Sequence, residues 1–407
     1  MKNTFKKVVS FTLAAALTVG SVFALASCGK KNGKNGDTIK IGVSGPLTGG
    51  AAKYGVAVKN SAQMAIDEIN EAGGLDGIKF ELMAYDDEHK KENVTTTYSS
   101  MYENGMHISL GTVTTAPGLE FKEMSKDDNV FVLTPSATGD AIVEYDNTYQ
   151  MCFSDSSQGT ASAQVFNRDY TGKKIGVFYK SDDEYSTGIY NKFMASIDQS
   201  FKTAGIVEAP FNGDSLDFST QAALLKDCDV IFLPVYTGPA AALMNKGVGV
   251  VKDNAIYYGC DGLDGVEAEF GSLAAMKAAI PQAVSYLSHF NTTATSGPAA
   301  EFVKKYNAKY DESKEPVNQF GAAAYDCIYA IFEALKVAKA NGKDFDASTS
   351  ASDFCDILKE VFNSDSFVFH GITGKCDGDN KSNISWSSSG LVNKEAVSYP
   401  VKGQGLS

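Results

Sequence analysis

Residues 38–74 read TIKIGVSGPLTGGAAKYGVAVKNSAQMAIDEINEAGG, and their pattern decides the fold. Ile39, Ile41 and Val43 alternate with polar neighbours, the two-residue period of a strand. A glycine-rich turn follows. Ala57, Ser61, Met64, Ala65, Ile69 and Ala72 then recur at helical spacing until Gly73-Gly74 ends the run. One strand and one helix make a βα unit, and the unit repeats downstream. Extended stretches at Lys79 to Tyr85, His107 to Leu110 and Val130 to Thr134 alternate with helical ones around Glu92 to Asn104 and from Pro117. After Tyr149 to Phe153 the rhythm restarts, with strands at Lys174 to Tyr179, Val207 to Phe211, Val230 to Tyr236 and Ala255 to Gly259, and a helix at Tyr185 to Ala204. This βαβ alternation predicts an α/β protein of two halves, each a doubly wound parallel sheet. Beyond a strand-like Ala283 to Leu287, three helical patterns (Pro298 to Tyr310, Phe320 to Ala340, Ser352 to Phe362) come without strands between them. Helices of that kind cover a sheet already built, so the chain has to return to its first half. His370 to Ser407, rich in Gly, Ser and Asp, reads as short strands and turns.

The remaining composition narrows the function. The 407 residues carry 36 Lys+Arg against 49 Asp+Glu, with Arg168 the only arginine. No basic stripe is available to neutralise phosphates, which argues against nucleic acid as a partner. Before the βα repeats, Lys2, Lys6 and Lys7 precede an apolar run from Val8 to Ala26 that meets Leu25-Ala26-Ser27-Cys28. Basic start, apolar stretch and small residues form a secretory leader, residues 1–27, and the string resembles a bacterial lipobox, which implies a lipid on Cys28. Loss of the leader removes three lysines and no acids, leaving about −16 on 380 residues. Residues 28–37 are polar and glycine-rich, a flexible tether. The lipid is then the membrane contact, since no later stretch approaches eighteen apolar residues. Six further cysteines, Cys152, Cys228, Cys260, Cys327, Cys355 and Cys376, are widely spaced, several in apolar runs, and read as mostly free, buried thiols. Neither they nor the four scattered histidines have metal-ligand spacing, and no cofactor is implied.

In open parallel sheets, ligands bind beyond the carboxyl ends of the strands. Four such loops carry chemistry. Gly111-Thr112-Val113-Thr114-Thr115-Ala116-Pro117 sets hydroxyls at a helix start, where free N–H groups and Thr114 and Thr115 suit an anion. Thr134-Pro135-Ser136-Ala137-Thr138-Gly139 is again small and hydroxylic. Plain helix capping explains each of these loops equally well. In the second half, Pro234 to Pro239 presents Tyr236, and Gly259-Cys260-Asp261-Gly262 presents a carboxylate that suits an ammonium, although Asp before Gly is commonly a turn residue. Tyr54 and Tyr185 offer rings to an apolar substituent, or are ordinary exposed tyrosines.

The strings IGVSGPLTG at 41–49, AKYG at 52–55, EINEAGGLDG at 68–77, YDDE at 85–88, LTPSAT at 133–138 and FSDSSQG at 153–159 occur in this order in one family. So do EYSTG at 184–188, GCDG at 259–262, GAAAYD at 321–326 and GITGK at 371–375. The chain resembles the branched-chain amino-acid binding proteins, type I periplasmic solute-binding components of ABC importers. That resemblance implies two lobes joined by three hinge crossovers, lobe 1 being 38–153 plus about 286–388 and lobe 2 being 154–285 plus about 389–407. It implies that Thr115, Ser136 and Thr138, with Thr114 and Ala137 beside them, hold the α-carboxylate, that Asp261 holds the α-ammonium, and that Tyr54, Tyr185 and Tyr236 wall the side chain. It further implies a monomer outside the cytoplasm, working with an ABC permease and its ATPase subunits. Sensors and binders of aromatic acids or amides share the family, so a ligand-binding sensor is the alternative.

An enzyme is the other class to weigh. The sequence has no G-x-S-x-G elbow, H-E-x-x-H or P-loop, and Gly247-Val248-Gly249 lacks the third glycine of a dinucleotide fingerprint. The adjacent carboxylates Asp86-Asp87 and Asp182-Asp183 read as solvated loop pairs rather than a catalytic pair. Asp377-Gly378-Asp379-Asn380 reads as a turn, without the spaced ligands of a calcium loop.

Overall fold

A computed structural model describes residues 38–311, 314–374 and 381–402. The leader, the tether, Cys28, Cys376 and the 377–380 turn lie outside them. Among the described residues thirteen strands form, β1 Thr38–Gly45, β2 Lys79–Asp86, β3 Ile108–Thr112, β4 Val132–Thr134, β5 Thr148–Gln150, β6 Ile175–Lys180, β7 Val207–Phe211, β8 Val230–Leu233, β9 Ile256–Gly259, β10 Ala283–Ser288, β11 Phe369–Gly371, β12 Ser382–Ile384 and β13 Val397–Lys402. The helices are α1 Ala52–Glu71, α2 Val94–Glu103, α3 Thr115–Asp127, α4 Asp155–Asp169, α5 Glu184–Ser196, α6 Gln199–Ala204, α7 Ser219–Leu225, α8 Thr237–Gly247, α9 Leu273–Ala279, α10 Gly297–Lys309, α11 Gln319–Ala340 and α12 Ala351–Phe362.

Two sheets organise these elements. The first has strand order β2-β1-β3-β4-β5, all parallel. The second has order β13-β10-β9-β8-β6-β7, parallel except for β13, which pairs antiparallel with β10 along the edge. The alternating strand of the opening stretch is β1, whose Ile39, Ile41 and Val43 are buried, and its helix is α1. Helices on both faces of a parallel sheet are what leave its strands reading as apolar runs. The late helices do return to the first half: α11 packs along α1, and Phe302, Ala323, Ile328, Ile331 and Leu335 join the core that also holds Ile39 and Leu110. The chain crosses from the first sheet to the second after β5; after β10 the late helices pack back on the first sheet's core, β11 and β12 pair antiparallel as a separate two-stranded sheet, and β13 returns to the edge of the second sheet.

One helix departs from its predicted span. Tyr185 to Ala204 is two helices, α5 and α6, because Ile197 turns extended (φ −72°, ψ 144°) and buries its side chain, while the Asp198 N–H bonds Asn167 Oδ1 of α4 at 2.9 Å. The five described cysteines of the core, Cys152, Cys228, Cys260, Cys327 and Cys355, are free and buried. Among the described residues, no helix is long and apolar enough to cross a membrane.

Candidate functional site

The carboxyl ends of both sheets face one another, and the loops that leave them meet around one cavity. Tyr54, Val113, Thr114, Thr115, Ser136, Thr138, Tyr185, Tyr236, Asp261, Gly262 and Phe320 line it. Eight of the nine residues expected from sequence are therefore brought together. Ala137 is the exception. Its carbonyl accepts Gln150 Nε2 at 2.9 Å, and its methyl faces the back of the loop toward Gly118.

The first sheet supplies neutral donors. Thr114 stands at the N-cap of α3 with extended backbone (φ −120°, ψ 154°), yet its hydroxyl makes no capping bond to the helix and lies 2.9 Å from His89 Nδ1. Capping alone thus does not account for this threonine. The first amides of α3 have no intrahelical acceptor and carry the positive end of the helix dipole. The Thr115 hydroxyl accepts the Gly139 N–H at 3.3 Å and ties the two hydroxylic loops together. Thr134 Oγ1 accepts Ala137 N at 3.1 Å and donates to Thr112 O at 2.8 Å, which holds Ser136 and Thr138 at the cavity.

The second sheet supplies the charge. Asp261 begins a short 3₁₀ turn after β9 and is 2% exposed. Its Oδ1 accepts the Tyr185 hydroxyl at 2.7 Å and the Gly262 N–H at 2.8 Å, and its own N–H donates to Gln158 Oε1 at 2.9 Å. Burial pushes the carboxyl up to about 6, against the pull of those bonds. Gly262 has to lack a side chain, since a Cβ there would sit 2.6 Å from Tyr185 Oη. Tyr185 is aimed by the start of α5, where Asp183 accepts Ser186 N at 2.9 Å and Ser186 Oγ donates to Pro234 O at 2.6 Å.

Aromatic rings close the cavity. Tyr185 stacks on Tyr236 with centroids 4.8 Å apart, Tyr54 meets Phe320 edge-on at 5.2 Å, and His89 meets Tyr236 edge-on at 5.1 Å. The lobes are drawn tightly together. Tyr54 Oη donates to Gly262 O at 2.7 Å and accepts Thr237 N–H at 3.1 Å, Lys53 pairs with Glu269, and Asp264 Oδ2 accepts the Gln319 N–H at the start of α11 at 2.9 Å. About 10 Å3 of free space is left between these residues, on the order of a single water molecule.

Several sequence expectations are corrected here. Tyr54 and Tyr185 are not exposed rings but buried ones, because each hydroxyl finds a partner across or beside the cavity. Asp87 and Asp183 are not solvated with their neighbours Asp86 and Asp182. Asp87 is buried, accepts Ser44 Oγ at 3.0 Å and the His89 N–H at 2.9 Å, and burial pushes it up to about 6. Asp183 is the buried N-cap of α5. Neither is a cavity-lining residue. Phe320, Val113 and His89 were missed. The string NQFGAAAYD, an Asn cap before an apolar helix, pointed to the start of α11, and His89 follows a strand end as the recognised loops do.

A family model described as "Periplasmic binding protein" matches residues 38–378. The Leu/Ile/Val-binding protein BraC3 of Rhizobium johnstonii is 28% identical over 233 residues, 56% of this chain and 63% of that protein. The match thus spans somewhat less than two thirds of that curated relative. The Leu/Ile/Val-binding protein homolog 1 of Brucella suis is 25% identical over 330 residues, 80% of this chain and 85% of its own. Among solved structures, the branched-chain amino acid transporter substrate binding protein LivJ of Streptococcus pneumoniae, in complex with isoleucine, superposes with a TM-score of 0.69 at 25% identity, covering 89% of this chain and 100% of that one. With two facing parallel-sheet lobes and a family match that runs through both of them, the chain belongs to the periplasmic binding protein family.

Proposed function

We propose that this protein captures a small amino acid, a branched-chain one in the first instance, between its two lobes and delivers it to an ABC permease and its ATPase subunits. The observation that carries the reading is the opposition of chemistries across one cavity. A helix start and the hydroxyls of Thr114, Thr115, Ser136 and Thr138 lie on one side, and the buried Asp261 carboxylate lies on the other. A zwitterion satisfies both at once: its carboxylate takes the neutral donors and the helix dipole, and its ammonium takes Asp261. A neutral solute leaves Asp261 buried without a counter-charge, and a plain anion meets it as a like charge.

The rings of Tyr54, Tyr185, Tyr236 and Phe320 give a side chain an apolar seat. Capture needs no covalent step: the lobes close, and the closed face is what the permease reads. In this reading the lobes are 38–153 plus about 286–388, and 154–285 plus about 389–407. The protein works as a monomer outside the cytoplasm, held to the membrane by lipid on Cys28 after removal of residues 1–27. Cys28→Ser tests the anchor: the variant is expected in the soluble fraction with ligand binding intact, and unchanged membrane attachment refutes it. The ligand class is tested by calorimetric titration against the twenty amino acids, with micromolar binding of Leu, Ile or Val expected.

A further inference from the structure

Lys53 stands in the first turn of α1, where a positive charge opposes the helix dipole. That turn holds no acidic residue, and its N-cap, Ala51, makes no side-chain capping bond. A negative charge reaches it from the other lobe. Glu269, in a short 3₁₀ segment at Val266–Phe270, pairs with Lys53, and the same Oε1 accepts the Thr237 hydroxyl at 2.9 Å. Thr237 opens α8, which likewise has neither an acidic residue in its first turn nor a side-chain cap. One carboxylate oxygen thus joins the first turns of two helices, one in each lobe. The lysine is held for this contact: Asn318 Nδ2 donates to Lys53 O at 3.3 Å, and the Lys53 stem runs past Gly265, where a Cβ would stand 3.7 Å from Lys53 Cδ.

Most surface ion pairs contribute little, because water screens them and two long side chains lose their freedom. This pair differs in two respects. Its side chains are only 16% and 29% exposed, and among the described residues it is the one ion pair that joins the two lobes. Separation of the lobes breaks it and leaves Lys53 facing the dipole of its own helix without a counter-charge. The cost falls on opening.

We propose that Lys53 and Glu269 form an ionic latch on the closed cleft, which sets how long a captured ligand stays and leaves the rate of its entry unchanged. The inference rests on the capture reading above and deepens it by naming what governs release. A ligand enters while the lobes stand apart, before the pair exists, so association does not register it. It leaves when the lobes part again, and the pair has to break first. The latch also makes release sensitive to salt. An amino-acid zwitterion carries no net charge, so salt has little long-range attraction between ligand and protein to screen, whereas the two latch charges are screened as soon as they begin to separate in water.

The test measures association and dissociation of labelled leucine, the latter by chase with excess unlabelled leucine, at about 0.02 M and about 1 M salt. The proteins are the wild type, Glu269→Gln, Lys53→Met, Lys53→Glu and the exchanged pair Lys53→Glu with Glu269→Lys. Glu269→Gln and Lys53→Met are expected to release leucine about fivefold to fiftyfold faster than the wild type at low salt, the range between an exposed ion pair and a charge-assisted hydrogen bond, with association within about twofold. Wild-type release is expected to quicken with salt, and release from Glu269→Gln to depend on it far less. The exchanged pair is expected to recover part of the slow release that Lys53→Glu alone loses. Thermal midpoints of the ligand-free proteins serve as the folding control and are expected to agree. Release within about twofold of wild type in both neutral variants overturns the inference while leaving the amino-acid reading in place. So does a change confined to association, or a faster release that the exchanged pair does not rescue. Failure of the wild type to bind any amino acid overturns that reading, and this inference with it.

Discussion

Removing the Tyr54 hydroxyl isolates lobe closure from both folding and ligand chemistry. In the closed form that single oxygen donates to Gly262 O at 2.7 Å and accepts the Thr237 N–H at 3.1 Å, joining α1 of the first lobe to two loops of the second. In Tyr54→Phe the ring keeps its contacts with Phe320 and Tyr236, at 5.2 and 5.6 Å, so the core is retained. Two bonds made only in the closed form are lost. At about 0.5 to 1.5 kcal/mol each, the closed state is weakened by about 1 to 3 kcal/mol, since in the open form both partners reach water. The closed-to-open ratio then falls by about 5-fold to 150-fold, and affinity falls with it wherever closure is coupled to binding. Titration calorimetry reads the affinity and small-angle scattering reads the lobe separation at saturating ligand. The thermal midpoint serves as the folding control. A dissociation constant within twofold of wild type, with an unchanged scattering profile, refutes the idea that this hydroxyl helps hold the lobes together.

Two further variants probe the charges. Asp261→Asn keeps the shape and an acceptor for Tyr185 but removes the counter-charge, so amino acids are expected to bind about tenfold to hundredfold more weakly while their deamino analogues are unaffected; equal losses for both remove Asp261 from the ammonium site. Asp264 is pushed up to about 7 by burial, so the folded protein keeps a proton that the unfolded chain gives up near pH 4. Its contribution therefore costs stability as pH rises from about 4 to 7. Denaturant titrations across that range are expected to show Asp264→Asn gaining on the wild type by about 2 to 4 kcal/mol with rising pH, and a difference that does not change with pH contradicts this.

The βα alternation was legible because each strand and helix carries its burial in its own period: Ile39, Ile41 and Val43 at two, Ala57, Ser61 and Ala65 at helical spacing. The polar side of the site was legible for a related reason, since parallel sheets bring the loops after their strands to one end. What the sequence hid is set by contacts between distant segments. Asp86 and Asp87 are neighbours with opposite fates, because the chain turns through left-handed backbone at Glu88 and His89 (φ 55° and 61°) and tucks Asp87 under β1. Phe320 reaches the cavity only because the chain after β10 returns α11 to the core of the first sheet.

The central claim is that the cleft holds a zwitterion by opposed charges. The direct measurement is calorimetric titration of ligand-stripped protein with isoleucine, leucine and valine, each beside its deamino acid and its amide. The account predicts a dissociation constant near 1 μM, about −8 kcal/mol, for at least one of the three amino acids, with binding lost or greatly weakened when either the ammonium or the carboxylate is removed. Binding of a deamino acid as tight as that of its parent amino acid would contradict it.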